Sequence, residues 1–149
     1  MRLCVVPCGK LKIWDKNPDA GPTKAKDVYI GPFAKACIDY AERFYPRRYV
    51  ILSAKYGFLF PDELIPGNYN VTFNDPKTNP IGVEELRRQA EQKGLMKYDE
   101  IVVVAGSNYV KIVRKVFAGK KIITPLKGLG GMGLMISAIK RAIEDGREL

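Results

Sequence analysis

A chain of 149 residues with 46% hydrophobic and 28% charged side chains suits one folded domain, spanning 1–149, whose core needs no disulfide or metal staple. Lys and Arg total 25 against 16 Asp and Glu, a net charge of +9 that favours an anionic partner: nucleic acid, nucleotide or phosphate. The sequence contains no histidine, which excludes a Ser-His-Asp triad, a Cys-His pair and His-ligated zinc, and leaves proton transfer to Lys, Tyr, Cys, Asp or Glu.

In chain order, Leu3-Cys4-Val5-Val6 is a short continuous apolar run, the pattern of a strand buried on both faces. Pro7 ends it, and the polar stretch from Cys8 to Lys26 reads as a long loop. Gly31-Pro32 opens a helix with Phe33, Cys37, Ala41 and Phe44 at helical spacing, and Pro46 closes it. Tyr49-Val50-Ile51-Leu52 is the second strand. A proline- and glycine-rich stretch from Ser53 to Gly82 follows with little periodicity, and loops of that length are often functional. Val83 to Lys93 is the next predicted helix. Ile101 to Ala105 is the clearest strand, followed by the turn Gly106-Ser107-Asn108 and a helix from Tyr109 to Phe117. Lys121 to Thr124 is a fourth strand. A glycine-rich loop, Pro125 to Gly131, leads into a last helix from Met132 to Glu144.

Alternation of strands and helices predicts an α/β fold. Its sheet is mainly parallel, with four or slightly more strands and helices on both faces, in a Rossmann-like arrangement. Ligands of such folds sit outside the carboxyl ends of the strands, so the four strand-end loops are expected to gather into one cleft. The odd cysteine count (Cys4, Cys8, Cys37) without CxxC spacing fits a reducing cytoplasm. The first apolar run is too short for a signal peptide, and no window reaches the roughly 18 apolar residues of a membrane span.

Candidate site residues fall in those loops. Gly9 lets the backbone approach a ligand, and Lys10 and Lys12 hold an anion. Cys8, flanked by these cations, is expected to be acidified and reactive, whereas Cys4 and Cys37 belong to the core. Ser53, Lys55, Tyr56 and Gly57 place a hydroxyl, a cation and a phenol directly after a buried strand. Tyr69 offers a ring for stacking on a base. Gly106, Ser107 and Asn108 start a helix, where free N–H groups bind anions, with Ser107 or Asn108 the candidate N-cap. Lys127, Gly128 and Gly130 form a glycine loop feeding the last helix; it is neither a Walker A sequence nor a dinucleotide fingerprint, and no cofactor or metal is expected.

Pro7-Cys8-Gly9-Lys10, then Ile51-Leu52-Ser53-Ala54-Lys55-Tyr56-Gly57-Phe58-Leu59 with Pro61-Asp62-Glu63 and Tyr69, and Pro125-Leu126-Lys127-Gly128-Leu129-Gly130 together resemble an uncharacterised domain family related to the YaaA peroxide-stress proteins. Pro7-Cys8 with a following lysine, and the Ser53 to Tyr69 segment, are more distantly similar to the central domain of archaeosine synthase, a tRNA-base-modifying enzyme. The Lys-Pro-Tyr and histidine that accompany the first motif there are missing, so transfer of lysine to a nitrile does not carry over.

These residues predict an enzyme acting on a nucleobase, nucleotide or nucleic-acid base, a transferase or hydrolase. Cys8 would be nucleophile or substrate contact, and Lys10 and Lys55 would hold anions or move protons. Ser53, Tyr56 and Tyr69 would orient the base. The alternatives are a noncatalytic nucleic-acid-binding protein of stress response or repair, and a nucleotide sensor. Oligomeric state is left open.

Overall fold

The computed structural model describes residues 1–149. Strands are β1 (Arg2–Pro7), β2 (Thr23–Lys24), β3 (Tyr49–Ser53), β4 (Gly57–Leu59), β5 (Leu64–Ile65), β6 (Glu100–Val103) and β7 (Lys121–Ile123). Helices are α1 (Ile13–Lys16), α2 (Ala25–Val28), α3 (Pro32–Phe44), α4 (Val83–Gln92), α5 (Ser107–Val116) and α6 (Met132–Asp145). Short 3₁₀ turns occupy Pro76–Thr78 and Leu95–Lys97.

The main sheet has 5 strands in the order β4-β3-β1-β6-β7. Neighbours from β3 to β7 are parallel, while β4 folds back antiparallel on β3 through the tight turn Ala54-Lys55-Tyr56. The sheet is therefore mixed, one strand wider than the four apolar runs foretold. Gly57-Phe58-Leu59 is too short to show a period, and its pairing with β3 is what makes it a strand.

The apolar runs of β1, β3 and β6 are buried because both faces of the sheet are covered there, whereas edge strand β7 leaves Ile122 and Ile123 half-buried. Cys4, Val6, Tyr49, Ile51, Val102 and Val104 point to one face, where α3 and α6 pack against each other. Leu3, Val5, Val50, Leu52, Ile101 and Val103 point to the other, beneath α4 and α5. The alternation is the period-two geometry of a strand, hidden in sequence because both partners are apolar. Burying each such Val, Leu or Ile contributes about 1.5–3 kcal/mol.

From β1 the chain moves to β3 on one side, then crosses back to β6 on the other. The gap between the carboxyl ends of β1 and β6 is thus the topological switch point of the sheet.

The two long loops are not structureless. Thr23 and Lys24 pair antiparallel with Ile65 and Leu64, and Lys12 bridges Tyr29. The Ala25 and Lys26 amides donate to the carbonyls of Glu63 and Pro61 at 2.8 and 3.0 Å. Each loop satisfies the other's backbone, so neither needed a local periodicity to be ordered.

Candidate functional site

The loop leaving β1 and the loop leaving β3 meet over the sheet's carboxyl edge. The Cys8 amide donates to the Leu52 carbonyl at 3.2 Å, which holds the thiol beside the end of β3. Asn68 Nδ2 donates to Asp15 Oδ1 at 3.0 Å, and Asp15 Oδ2 accepts the Lys12 amide at 2.8 Å. These contacts fix Lys12 and Tyr69 on facing walls.

Between the walls lies a chain of hydroxyls. Tyr69 Oη is 3.0 Å from Ser53 Oγ and hydrogen-bonds Tyr29 Oη. Ser53 is fully buried, and its oxygen accepts the amides of Lys55 and Tyr56 at 3.2 and 3.1 Å. Tyr56 meets the Tyr69 ring edge-on with centroids 5.4 Å apart. On the β6 side, the Cys8 thiol lies 3.1 Å from the Tyr109 hydroxyl, at the switch point.

Lys12 is the only buried charged side chain, 4% exposed. Its Nζ donates to the Lys10 carbonyl at 3.1 Å and stands 4.4 Å from the centre of the Tyr69 ring, and it forms no salt bridge. Burial lowers its pKa, and nearby Cys8 and Asp15 partly restore it. Lys55, exposed, hangs over the rings of Tyr56 and Tyr69 at 5.3 and 5.6 Å.

The thiol of Cys8 departs from expectation. Burial raises its pKa, and this outweighs the Tyr109 hydrogen bond and the Lys12 charge, both of which lower it. Lys10 points into solvent and supplies no acidifying contact. Cys8 is therefore a protonated thiol at neutral pH. The phenols are held neutral as well: burial pushes Tyr69 up to about 12 and raises Tyr29 and Tyr109 further.

The strand-end residues do not form one cleft. Lys10, Lys12, Asp15, Asn68 and Tyr69 line a cavity of about 610 Å³ at the ends of β1 and β3. Gly106, Ser107, Lys127, Gly128 and Gly130 line a second, of about 400 Å³, at the ends of β6 and β7. The two share no lining residue, and Cys8 and Tyr109 stand between the loops that carry them.

Two of the expected ligand-contacting glycines have packing roles. A side chain at Gly9 would meet the Ala34 methyl at 3.2 Å, so Gly9 lets the loop press on α3. Gly57 has φ +77°, and a Cβ there would lie 2.0 Å from Gln89 Oε1. Gln89 in turn accepts the Phe58 amide and donates to the Tyr56 carbonyl, both at 2.9 Å. The N-cap of α5 is Gly106 and not Ser107 or Asn108; no side chain caps this end, and Asn108 donates instead to Asn74 at 2.7 Å.

The sequence model of a family of unknown function, DUF6884, matches residues 3–141, a span that takes in both cavities. The chain belongs to that family. It is also similar to the Bacillus subtilis (strain 168) protein named Uncharacterized protein YfjM, at 46% identity over 149 residues, covering 99% of either chain. This DUF6884 domain has no helix long and apolar enough to cross a membrane.

Tyr29 and Asp15 were absent from the sequence-derived site, and Tyr109 entered it only as the start of a helix. Tyr29 sits between Val28 and Ile30 in an unpatterned stretch, and only the docking of two loops brings it to Tyr69. The Lys12-x-x-Asp15 spacing was the one available hint, since a carboxylate three residues on can reach back to a helix-start amide.

Proposed function

We propose that the protein is an enzyme acting on a nucleobase, a nucleotide or a nucleic-acid base, with its ligand at the carboxyl ends of β1 and β3. The observation that carries this reading is Lys12, a buried ammonium that forms no salt bridge, on the wall of the cleft that Tyr69 lines. Such a charge is costly to bury, so its presence favours a ligand that supplies negative charge or exchanges a proton there.

In this reading Lys12 is the anion holder or proton carrier. Lys10 and Lys55 add positive charge at the rim. Tyr56 and Tyr69 orient the base, with Ser53 bracing the Tyr69 phenol. Cys8 serves as substrate contact, or as nucleophile once a base has taken its proton. The resemblance to YaaA-related and archaeosine-synthase domains supports a base-directed role, the four parallel strands support a Rossmann-like placement of the ligand, and three free cysteines support a cytoplasmic setting.

A thermal-shift screen of nucleotides, nucleosides and deazapurine bases tests it on the wild type, Lys12→Met and Lys55→Met. A ligand at a hundredfold excess over its Kd stabilises by about 2.7 kcal/mol, a shift of several degrees. The expected hit stabilises the wild type and loses its effect in Lys12→Met and in Lys55→Met. A hit that shifts all three proteins equally places the ligand elsewhere. No hit, together with oligonucleotide binding measured by fluorescence anisotropy, would favour the noncatalytic nucleic-acid-binding alternative that the net charge of +9 suggests.

A further inference from the structure

The geometry points to a second ligand site, for the phosphate or diphosphate group of a small molecule, in the cavity between α5 and the glycine loop after β7. This site stands whether or not the Tyr69 cleft takes a base.

Helix α5 turns one mostly polar stripe toward this cavity. Ser107, Val110, Lys111 and Arg114 follow the i, i+3, i+4, i+7 spacing of one helical stripe, and all four line the cavity. The core stripe of the same helix is formed by Val113 and Val116. Opposite stand Thr124 and the loop bearing Lys127 and Gly128. Three cations thus converge on a concavity of about 400 Å³ that contains no carboxylate, and none of them enters a salt bridge.

Some exposed cations elsewhere on the protein sit beside carboxylates. Lys35 meets Asp39, Arg87 meets Glu84, Arg88 meets Glu85 and Lys93 meets Glu63. Converging unpaired cations repel one another, and a multivalent anion relieves that repulsion. Hydroxyls of Ser107 and Thr124 supply further donors, and Gly128 keeps the rim free of side-chain bulk. Pockets for small ligands run from about 300 to 1,000 Å³, and the recessed shape suits a terminal phosphate better than a polymer backbone passing over a flat surface. Leu126, Val110 and Met135 give the cavity an apolar wall for the rest of the molecule.

The test uses inorganic pyrophosphate as probe, followed by amide chemical shifts of the 15N-labelled full-length protein. Saturable shifts at Ser107, Lys127 and Gly128 are expected, and they should persist unchanged in Lys12→Met. The double variant Arg114→Gln/Lys127→Gln should bind roughly tenfold more weakly or worse. Lys115→Gln, on the same helix but outside the cavity, should bind as the wild type does. All three side chains are exposed, so the variants should melt with the parent. Weak shifts spread over exposed lysines such as Lys24 and Lys97 would overturn the site. So would equal affinity in the double variant. A single-stranded oligonucleotide that displaces pyrophosphate at far lower concentration than a nucleoside diphosphate does would overturn the small-molecule assignment in favour of a nucleic-acid surface.

Discussion

The Cys8 thiol and the Tyr109 hydroxyl, 101 residues apart in sequence, lie 3.1 Å from each other where β1 and the first turn of α5 meet. The contact spans the switch point of the sheet and separates the two cavities. It also opposes the effect of burial on the thiol. Tyr109 donates to whatever thiolate forms, while burial opposes its formation.

Cys8 should be the first of the three cysteines to be alkylated, because Cys4 and Cys37 are fully buried. Its rate should climb with pH and reach half-maximum above 9.0, the ordinary thiol value, since its pKa is raised. Tyr109→Phe removes a donor to the thiolate and should slow the reaction roughly threefold at fixed pH. Mass spectrometry after brief iodoacetamide exposure reads this directly. Faster labelling of Cys37, or a rate plateau below neutral pH, would contradict the buried-thiol assignment.

Lys12→Met should leave the fold as stable as the parent or more so, by up to about 1 kcal/mol, because it removes a buried charge and keeps the apolar stem. The pH dependence follows from the lowered pKa. Between the folded value and the unfolded value of 10.5 the unfolded chain binds more protons at this site. Stability contributed by Lys12 therefore rises as pH increases through that window. Urea unfolding at stepped alkaline pH should show this increment in the wild type and not in Lys12→Met. A variant that unfolds would assign Lys12 a structural role.

Ser53→Ala should cost about 2 kcal/mol, since it strands the amides of Lys55 and Tyr56 and the phenol of Tyr69 around a fully buried position. The loss should be larger than that of Lys55→Met, whose side chain is exposed. Chemical denaturation of the two variants side by side measures the difference. Equal stability would mean that water replaces the hydroxyl.

Gly57→Ala should destabilise by about 2 kcal/mol, combining a positive-φ penalty with a clash against Gln89. Gln89→Ala relieves the clash but abandons the Phe58 amide and the Tyr56 carbonyl, so it should not rescue the variant. A double-mutant cycle on melting temperature reads the coupling.

Read as a linear string, this chain already specifies its main elements. Four apolar runs became four strands and the long periodic segments became α3, α4, α5 and α6, because burial on both faces of a sheet and on one face of a helix leaves local, countable patterns. Strand-end placement of Lys12, Ser53, Lys55 and Tyr69 also followed from local order, since a loop after a parallel strand must emerge at the carboxyl edge. Three things required the folded chain. The strand order split the expected single cleft into two cavities, because β1 and β3 carry one set of loops and β6 and β7 the other. Desolvation reversed the expected acidity of Cys8, and made Lys12 rather than Lys10 the buried cation. Tyr29 and Tyr109 reached the site from segments 80 positions apart, without any motif to announce them. Burial and long-range docking are sums over neighbours distant in sequence, and no window of the sequence contains them.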